Sequence, residues 1–465
     1  MLNLDEFRAS LDGALYEPGS ASYEAAQMCD GAGVVGIRPR LVVACGSEAD
    51  VTSAIAYAAG AGLRLVPRGG GHGFAGRSST DGILLDVSAL NDIAVDVSGT
   101  VRIGAGARLG DVYRSLHAHG RSLPAGCGAT VGIAGLALGG GIGLLGRRFG
   151  LTCDRLLSAR VVLADGEIAE CDERREPDLF WALRGAGGGQ FGVVTALRFA
   201  TVPEPDVVRI DARWADTDIA ELMTAWQGWA PDVPDGLTLN LAIEKHPHEP
   251  RLHAQAFGVS ALSRLETTTL LRRFLIDRAV PDELRLSEPM PYSAVKETLA
   301  DESRSSSVGP IRLRSEFFEN TITQHTLSTV LALLQEPGPV AGEGVRRLAF
   351  TAMGGAYNQV SEEATAFAHR DTRFMLEHVG DPDNPWINAS WEAAHADGSG
   401  RVYPNFPDPL LDDPLHAYHG VNTPRLARVK RSYDPGQFFD FPQAIRPTPS
   451  AGVSRAGSRR NEVPS

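Results

Sequence analysis

The sequence predicts an α+β protein of more than one domain, and three observations carry that prediction. Before Thr201, short β-branched runs such as Gly82 to Val87 and Val101 to Ala105 are interleaved with helical apolar spacing over Ala49 to Ala61 and Leu109 to His119. Two glycine runs, Arg68-Gly69-Gly70-Gly71-His72-Gly73 and Gly139-Gly140-Gly141-Ile142-Gly143, punctuate that region. After Val207 the glycine runs stop and tryptophans collect (Trp214, Trp226, Trp229, Trp386, Trp391), while alternating stretches such as Leu237 to Ile243 accompany helical ones such as Thr323 to Leu334. The second pattern predicts an antiparallel sheet backed by helices, whose uncovered face is free to roof a binding site.

In chain order, Val35 to Ala44, the helix over Ala49 to Ala61 and a strand over Leu63 to Val66 lead into the first glycine run. The first domain is expected over 1–201, with Val202-Pro203-Glu204-Pro205 as a linker. A substrate domain is expected over 202–410 and a return to the first domain over 411–446. Residues 447–465, rich in Pro, Ser and Arg, read as a tail without a core.

A chain of 465 residues, 43% hydrophobic and 22% charged, has the composition of a soluble globular enzyme. Its net charge of −13 and lack of Lys/Arg clusters argue against nucleic-acid and anionic-membrane partners. The start, Met1 to Glu6, has neither a basic region nor an apolar one, and no apolar run is long enough to cross a bilayer, so a cytoplasmic location is expected. The five cysteines (Cys29, Cys45, Cys127, Cys153, Cys171) never form a C-x-x-C pair, which excludes a disulfide framework or zinc site. Histidines such as His117, His119, His416 and His419 show no metal-ligand grouping with carboxylates, and no metal is expected.

Consecutive glycines let backbone N–H groups approach a bulky anion such as a pyrophosphate. Gly141-Ile142-Gly143-Leu144-Leu145-Gly146 also fits G-x-G-x-x-G, with Asp165 downstream. That dinucleotide motif must open a helix directly after a strand, and Arg147-Arg148-Phe149-Gly150 breaks the run, so a Rossmann site is rejected.

Five stretches carry a resemblance. They are Arg68 through Gly76; Pro124-Ala125-Gly126-Cys127-Gly128-Ala129-Thr130-Val131-Gly132-Ile133-Ala134-Gly135 with its run to Gly143; Asp178 to Gly185 through Gly192-Val193-Val194-Thr195; Tyr403-Pro404-Asn405-Phe406; and Lys430 through Ile445 with Tyr433-Asp434-Pro435-Gly436. Together they resemble the berberine-bridge-enzyme-like oxidases of the vanillyl-alcohol-oxidase superfamily, which have a PCMH-type FAD-binding domain. The resemblance implies FAD attached covalently through His72. It implies further cofactor contacts from Arg68, Gly69, Gly70, Gly71, Gly73, Gly76, Cys127, Gly128, Thr130, Val131, Gly132, Gly135, Gly139, Gly140, Gly143, Val194 and Asn405.

Two departures from the family pattern matter. Where relatives with a doubly attached flavin have a cysteine, three residues before the valine matched by Val131, this chain has Gly128, with Cys127 one residue earlier. The single link through His72 is expected, and a second through Cys127 stays open. The family's C-terminal Asn-Gln pair reads Pro442-Gln443.

The implied reaction is hydride transfer from a small alcohol, sugar or natural-product intermediate to the flavin, with O2 as acceptor and H2O2 as product, in a biosynthetic tailoring step. Alternatives are a dehydrogenase with another electron acceptor and a non-catalytic flavin holder. Tyr403, in the family's Tyr-x-Asn element, is the first candidate base, though a phenol normally titrates near ~10 and needs lowering. Tyr357, expected on a strand of the substrate sheet sharing a face with Gln359, is the second. Trp386 and Trp391 are expected in the core.

Overall fold

The computed structural model describes residues 3–27, 37–215, 217–275, 280–305, 311–336 and 344–448. Cys29 and residues 449–465, most of the expected tail, lie outside them.

Two sheets build the first core. In one, Leu41–Ala44, Ile83–Asp86 and Leu65–Arg68 run parallel, and Ala14–Tyr16 adds an antiparallel edge. In the other, five antiparallel strands are ordered Ile93–Val95, Thr100–Gly104, Val193–Ala200, Leu156–Val162, Ile168–Cys171. Helix Glu48–Ala61 is amphipathic in the needed sense: Val51, Ala54, Ile55 and Ala58 are buried, one turn apart. Helix Thr423–Tyr433 returns to this core through Leu426 and Val429. Its Lys430 ammonium, fully buried, donates to Gln190 O (2.6 Å), Phe439 O (2.9 Å) and Asp434 Oδ2 (2.7 Å), and so pins the Asp434-Pro435-Gly436 turn.

The second core is an eight-stranded antiparallel sheet in which Asp206–Trp214, Leu252–Ser260, Leu237–Lys245, Arg346–Ala352, Phe374–Gly380 and Arg312–Phe318 are successive neighbours. Alternation sorts its faces. Leu239, Leu241, Ile243, Phe350, Phe374 and Leu376 point toward helices Ile219–Trp229, Gln324–Gln335 and Trp386–His395, in one apolar cluster. Thr323 caps the middle helix, accepting from Thr326 N. Trp386 and Trp391 are buried.

One expectation, the strand at Tyr357, needs correction. The expected linker is ordered: Val202-Pro203 pairs with Arg121–Ser122, and the Glu204 carboxylate holds His117 at 2.6 Å and accepts from Ser293 N at 2.8 Å. Tyr357 is not on a strand. Gly354 and Gly355 take φ of 86° and 57°, which ends the strand at Ala352, and Gly355–Asn358 closes into a 3₁₀ turn. The face shared by Tyr357 and Gln359 therefore does not exist. In keeping with the rejected dinucleotide motif, Gly141–Gly146 follows helix Ile133–Leu138 and precedes only the four-residue helix Gly146–Phe149.

Candidate active site

Strand Leu65–Arg68 delivers the first glycine run. The Arg68 guanidinium turns back to Gln27 O (3.5 Å), Asp86 (3.3 Å) and Ala26 O, so this residue braces the base of the loop. Beyond it the loop interlocks with the segment before helix Ile133–Leu138. A Cβ on Gly70 would collide with the Gly132 amide nitrogen, and one on Gly132 would lie 2.5 Å from Gly70 N. Only two glycines permit that approach. Gly71 has φ 76°, and Gly73 N donates to Ser78 Oγ at 3.2 Å. His72 stands where the two loops meet, its Nε2 2.9 Å from Thr130 Oγ1.

Among the described residues the amides of Gly70, Gly71 and Gly132 make no hydrogen bond. Backbone donors beside side-chain-free carbons suit a diphosphate, and the cradle fits the anionic part of a dinucleotide cofactor. Gly135 faces open space on the adjoining helix. Val131 N closes a turn onto Gly128 O (3.2 Å), Gly76 O accepts from Ser79 N (3.0 Å), and Val194 packs within the first core.

The second run is built differently. Gly141 N and Ile142 N donate to Tyr403 OH at 3.0 and 3.2 Å, and Asn405 Nδ2 donates to the same oxygen at 3.0 Å. Gly143 N donates to Tyr357 OH at 3.1 Å, and that hydroxyl donates to Gly143 O at 2.8 Å. Asn405 also donates to Leu136 O (2.9 Å) and lies against Gly139, while Phe367 lies against Gly140. In place of an anion, the amides of Gly141, Ile142 and Gly143 meet phenol oxygens, and that of Gly140 meets Ala137 O at 3.1 Å. Just beyond, the Arg147 guanidinium enters the second core and donates to Leu237 O (3.1 Å), Pro231 O (2.7 Å), Val233 O (2.5 Å) and Met353 O.

Burial pushes Tyr403 up to about 12 even though Asn405, Ile142 and Gly141 favour its ionised form, and burial also raises Tyr357. Neither phenol has the lowered pKa that a base at neutral pH requires.

A carboxylate overlooked in the sequence does better. Glu377 lies on strand Phe374–Gly380, on the face opposite Phe374 and Leu376 and shared with Met375, which packs against Leu151, Phe367 and Tyr403. It is opposite Ser315, whose Oγ accepts from Tyr403 N at 3.3 Å. Burial lifts its pKa to about 7, offset in part by the Arg347 charge and the Thr351 hydroxyl. The available signal was one acidic residue inside the apolar run Phe374-Met375-Leu376-Glu377.

Cys127 is half-buried against the cluster of Leu144, Leu145 and Tyr292. There Lys296 donates to Ala125 O (2.9 Å), Gly126 O (2.6 Å) and Cys127 Sγ (3.7 Å). Burial lowers the Lys296 pKa. Nothing in the sequence marked this lysine. Among the described residues no group of three His, Cys, Asp or Glu is placed to hold a metal ion, and no helix is long and apolar enough to cross a membrane.

Residues 39–172 match the family model described as FAD binding domain, and 402–446 that of berberine and berberine like. The chain is 33% identical over 423 residues to the uncharacterized FAD-linked oxidoreductase YgaK of Bacillus subtilis, covering 88% of this chain and 91% of that one. It is 27% identical to the chitooligosaccharide oxidase of Gibberella zeae, with 88% and 87% covered. The solved structure of Physcomitrella patens BBE-like 1 superposes with a TM-score of 0.85 at 25% identity, over 96% of this chain and 99% of that one. With its interlocked glycine loops and its helix-backed sheet, this enzyme belongs to the berberine bridge enzyme-like FAD-linked oxidoreductases.

Proposed function

We propose that the enzyme is an oxidase that removes hydride from a small hydroxyl-bearing substrate and passes the electrons to O2, giving H2O2, with FAD attached through His72 alone. The observation that carries this reading is His72 at the junction of two loops whose glycine amides are uncommitted, with Glu377 on the sheet face whose Met375 packs against Tyr403. Bound FAD supplies the hydride acceptor. Glu377 takes the substrate hydroxyl proton, because a group titrating near ambient pH is both ionised enough and basic enough to do so. Tyr403 and Tyr357 hold the second glycine run in place, and Phe317, Phe367 and Met375 exclude water around them. Relatives named chitooligosaccharide oxidase and monolignol oxidoreductase support a hydroxyl-bearing substrate. Engagement of Cys127 by Lys296 supports a single flavin link.

Glu377→Gln is expected to lower kcat by ~10²–10⁴ and to flatten a rate profile that in the unmodified enzyme rises with pH through about 7. The stability effect has the opposite sign. A carboxyl with a raised folded-state pKa contributes stability that is fully present below its unfolded pKa and is lost as pH rises through about 7, so the variant gains Tm relative to the parent above that pH. An unchanged pH profile in the variant would remove Glu377 from the reaction. Anaerobic reduction by substrate followed by air tests the acceptor: flavin that stays reduced for minutes would make the enzyme a dehydrogenase.

A further inference from the structure

Behind the aromatic layer of the site lies a group of half-buried guanidinium and buried imidazole side chains that the reaction does not use. Arg77 follows the first glycine run, and its guanidinium is 5.2 Å from the Tyr418 ring centroid and 5.4 Å from that of Phe441. Among the described residues its guanidinium donates to Gln443 Oε1 at 3.1 Å, and its buried Nε has no partner. Arg401 has no ion pair or side-chain hydrogen bond among the described residues, and its buried Nη1 lies against Gly420. His419, 2% exposed, leaves Nδ1 without a partner. His369, 3% exposed, faces the Tyr418 backbone carbonyl and sits 4.7 Å from Phe317 and 5.1 Å from Phe367.

These groups share one neighbourhood. Burial depresses the His369 pKa, and Arg401 and His419 depress it further; burial and then Arg77 depress that of His419. The charges that act most strongly on the two imidazoles are cationic. The nearby Asp408, whose backbone N–H donates to Tyr418 OH, has its carboxylate committed to Arg314 at 2.5 Å. A half-buried guanidinium without a counter-ion is costly, and each buried nitrogen left without a hydrogen bond, Arg77 Nε and Arg401 Nη1, adds to that cost. A compact anion would offset both.

We propose that Arg77, His369, Arg401 and His419 form a half-buried pocket for a compact oxyanion, a carboxylate or a phosphate, carried by a substrate or free in solution. Guanidinium groups suit this role because their planar forks match the oxygens of such anions. His369 ties the pocket to the candidate active site, since Phe317 and Phe367, which flank it, also pack at 6.2 Å on Tyr403. The pocket stands on its own geometry and does not depend on the oxidase reading.

The test uses FAD-loaded enzyme in chloride buffer of constant ionic strength, titrated separately with inorganic phosphate and with benzoate, following Tm and the heat of binding. Saturable binding of at least one probe is expected, weakened about tenfold or more by Arg77→Gln and by Arg401→Gln, as loss of a charge-assisted hydrogen bond requires. It should be unaffected by Arg425→Gln, whose guanidinium pairs with Asp178 on the surface. Phosphate binding without benzoate binding identifies a free or phosphate-borne anion, and benzoate binding identifies a carboxylate-bearing ligand. Should one arginine variant fail to fold, the other and His419→Gln carry the comparison. No binding of either probe to the unmodified holoenzyme, or variants that bind as well as the parent, would overturn the proposal.

Discussion

The two glycine runs look alike in the sequence and do opposite work in the fold. At Gly69–Gly73 the backbone meets another backbone, Gly132, and leaves amides uncommitted beside His72. At Gly139–Gly143 the amides are taken by Tyr403 and Tyr357, which arrive from the second core, and Arg147 completes the junction in the reverse direction. A run of glycines therefore marks only a place where something comes close. The chemistry of what comes close decides whether the site holds a ligand or fastens two cores together.

Three substitutions separate these roles. The largest effect is expected from Gly70→Val, whose side chain must occupy the space of the Gly132 amide: bound flavin, read from the visible absorbance of purified protein, should fall close to zero. Substantial flavin retention would show that the interlocked loops are not the cofactor cradle. Arg147→Met comes next. It leaves the carbonyls of Leu237, Pro231, Val233 and Met353 without their donor, and should cost about 3–5 kcal/mol in denaturant unfolding while folded protein keeps its flavin. Tyr403→Phe is the smallest. Removing the acceptor of Gly141 N, Ile142 N and Asn405 Nδ2 should cost about 1–3 kcal/mol, with kcat lowered less than tenfold. A loss of kcat as large as that of Glu377→Gln would return the role of base to the phenol.

What was legible in the sequence follows from how local its causes are. Alternation over Leu237 to Ile243 and helical spacing over Thr323 to Leu334 act within a few residues, and both yielded their elements. The five matching stretches fixed the family and the fold because they span most of the chain. Tyr357 was misplaced because the strand pattern was carried past Gly354-Gly355, whose positive φ angles turn the backbone away. Glu377 was hidden for a different reason. Its environment is made by neighbouring strands, opposite Ser315 and Ala349, and burial there is what lifts its pKa. The commitment of the second run to two tyrosines more than two hundred residues away is equally non-local.

Mass spectrometry of the denatured chain, with peptide mapping, tests the central assignment most directly. The account predicts that the peptide containing His72 carries the mass of FAD and that the peptide containing Cys127 is unmodified. FAD released entirely by acid precipitation, or found on Cys127 in place of His72, would contradict it.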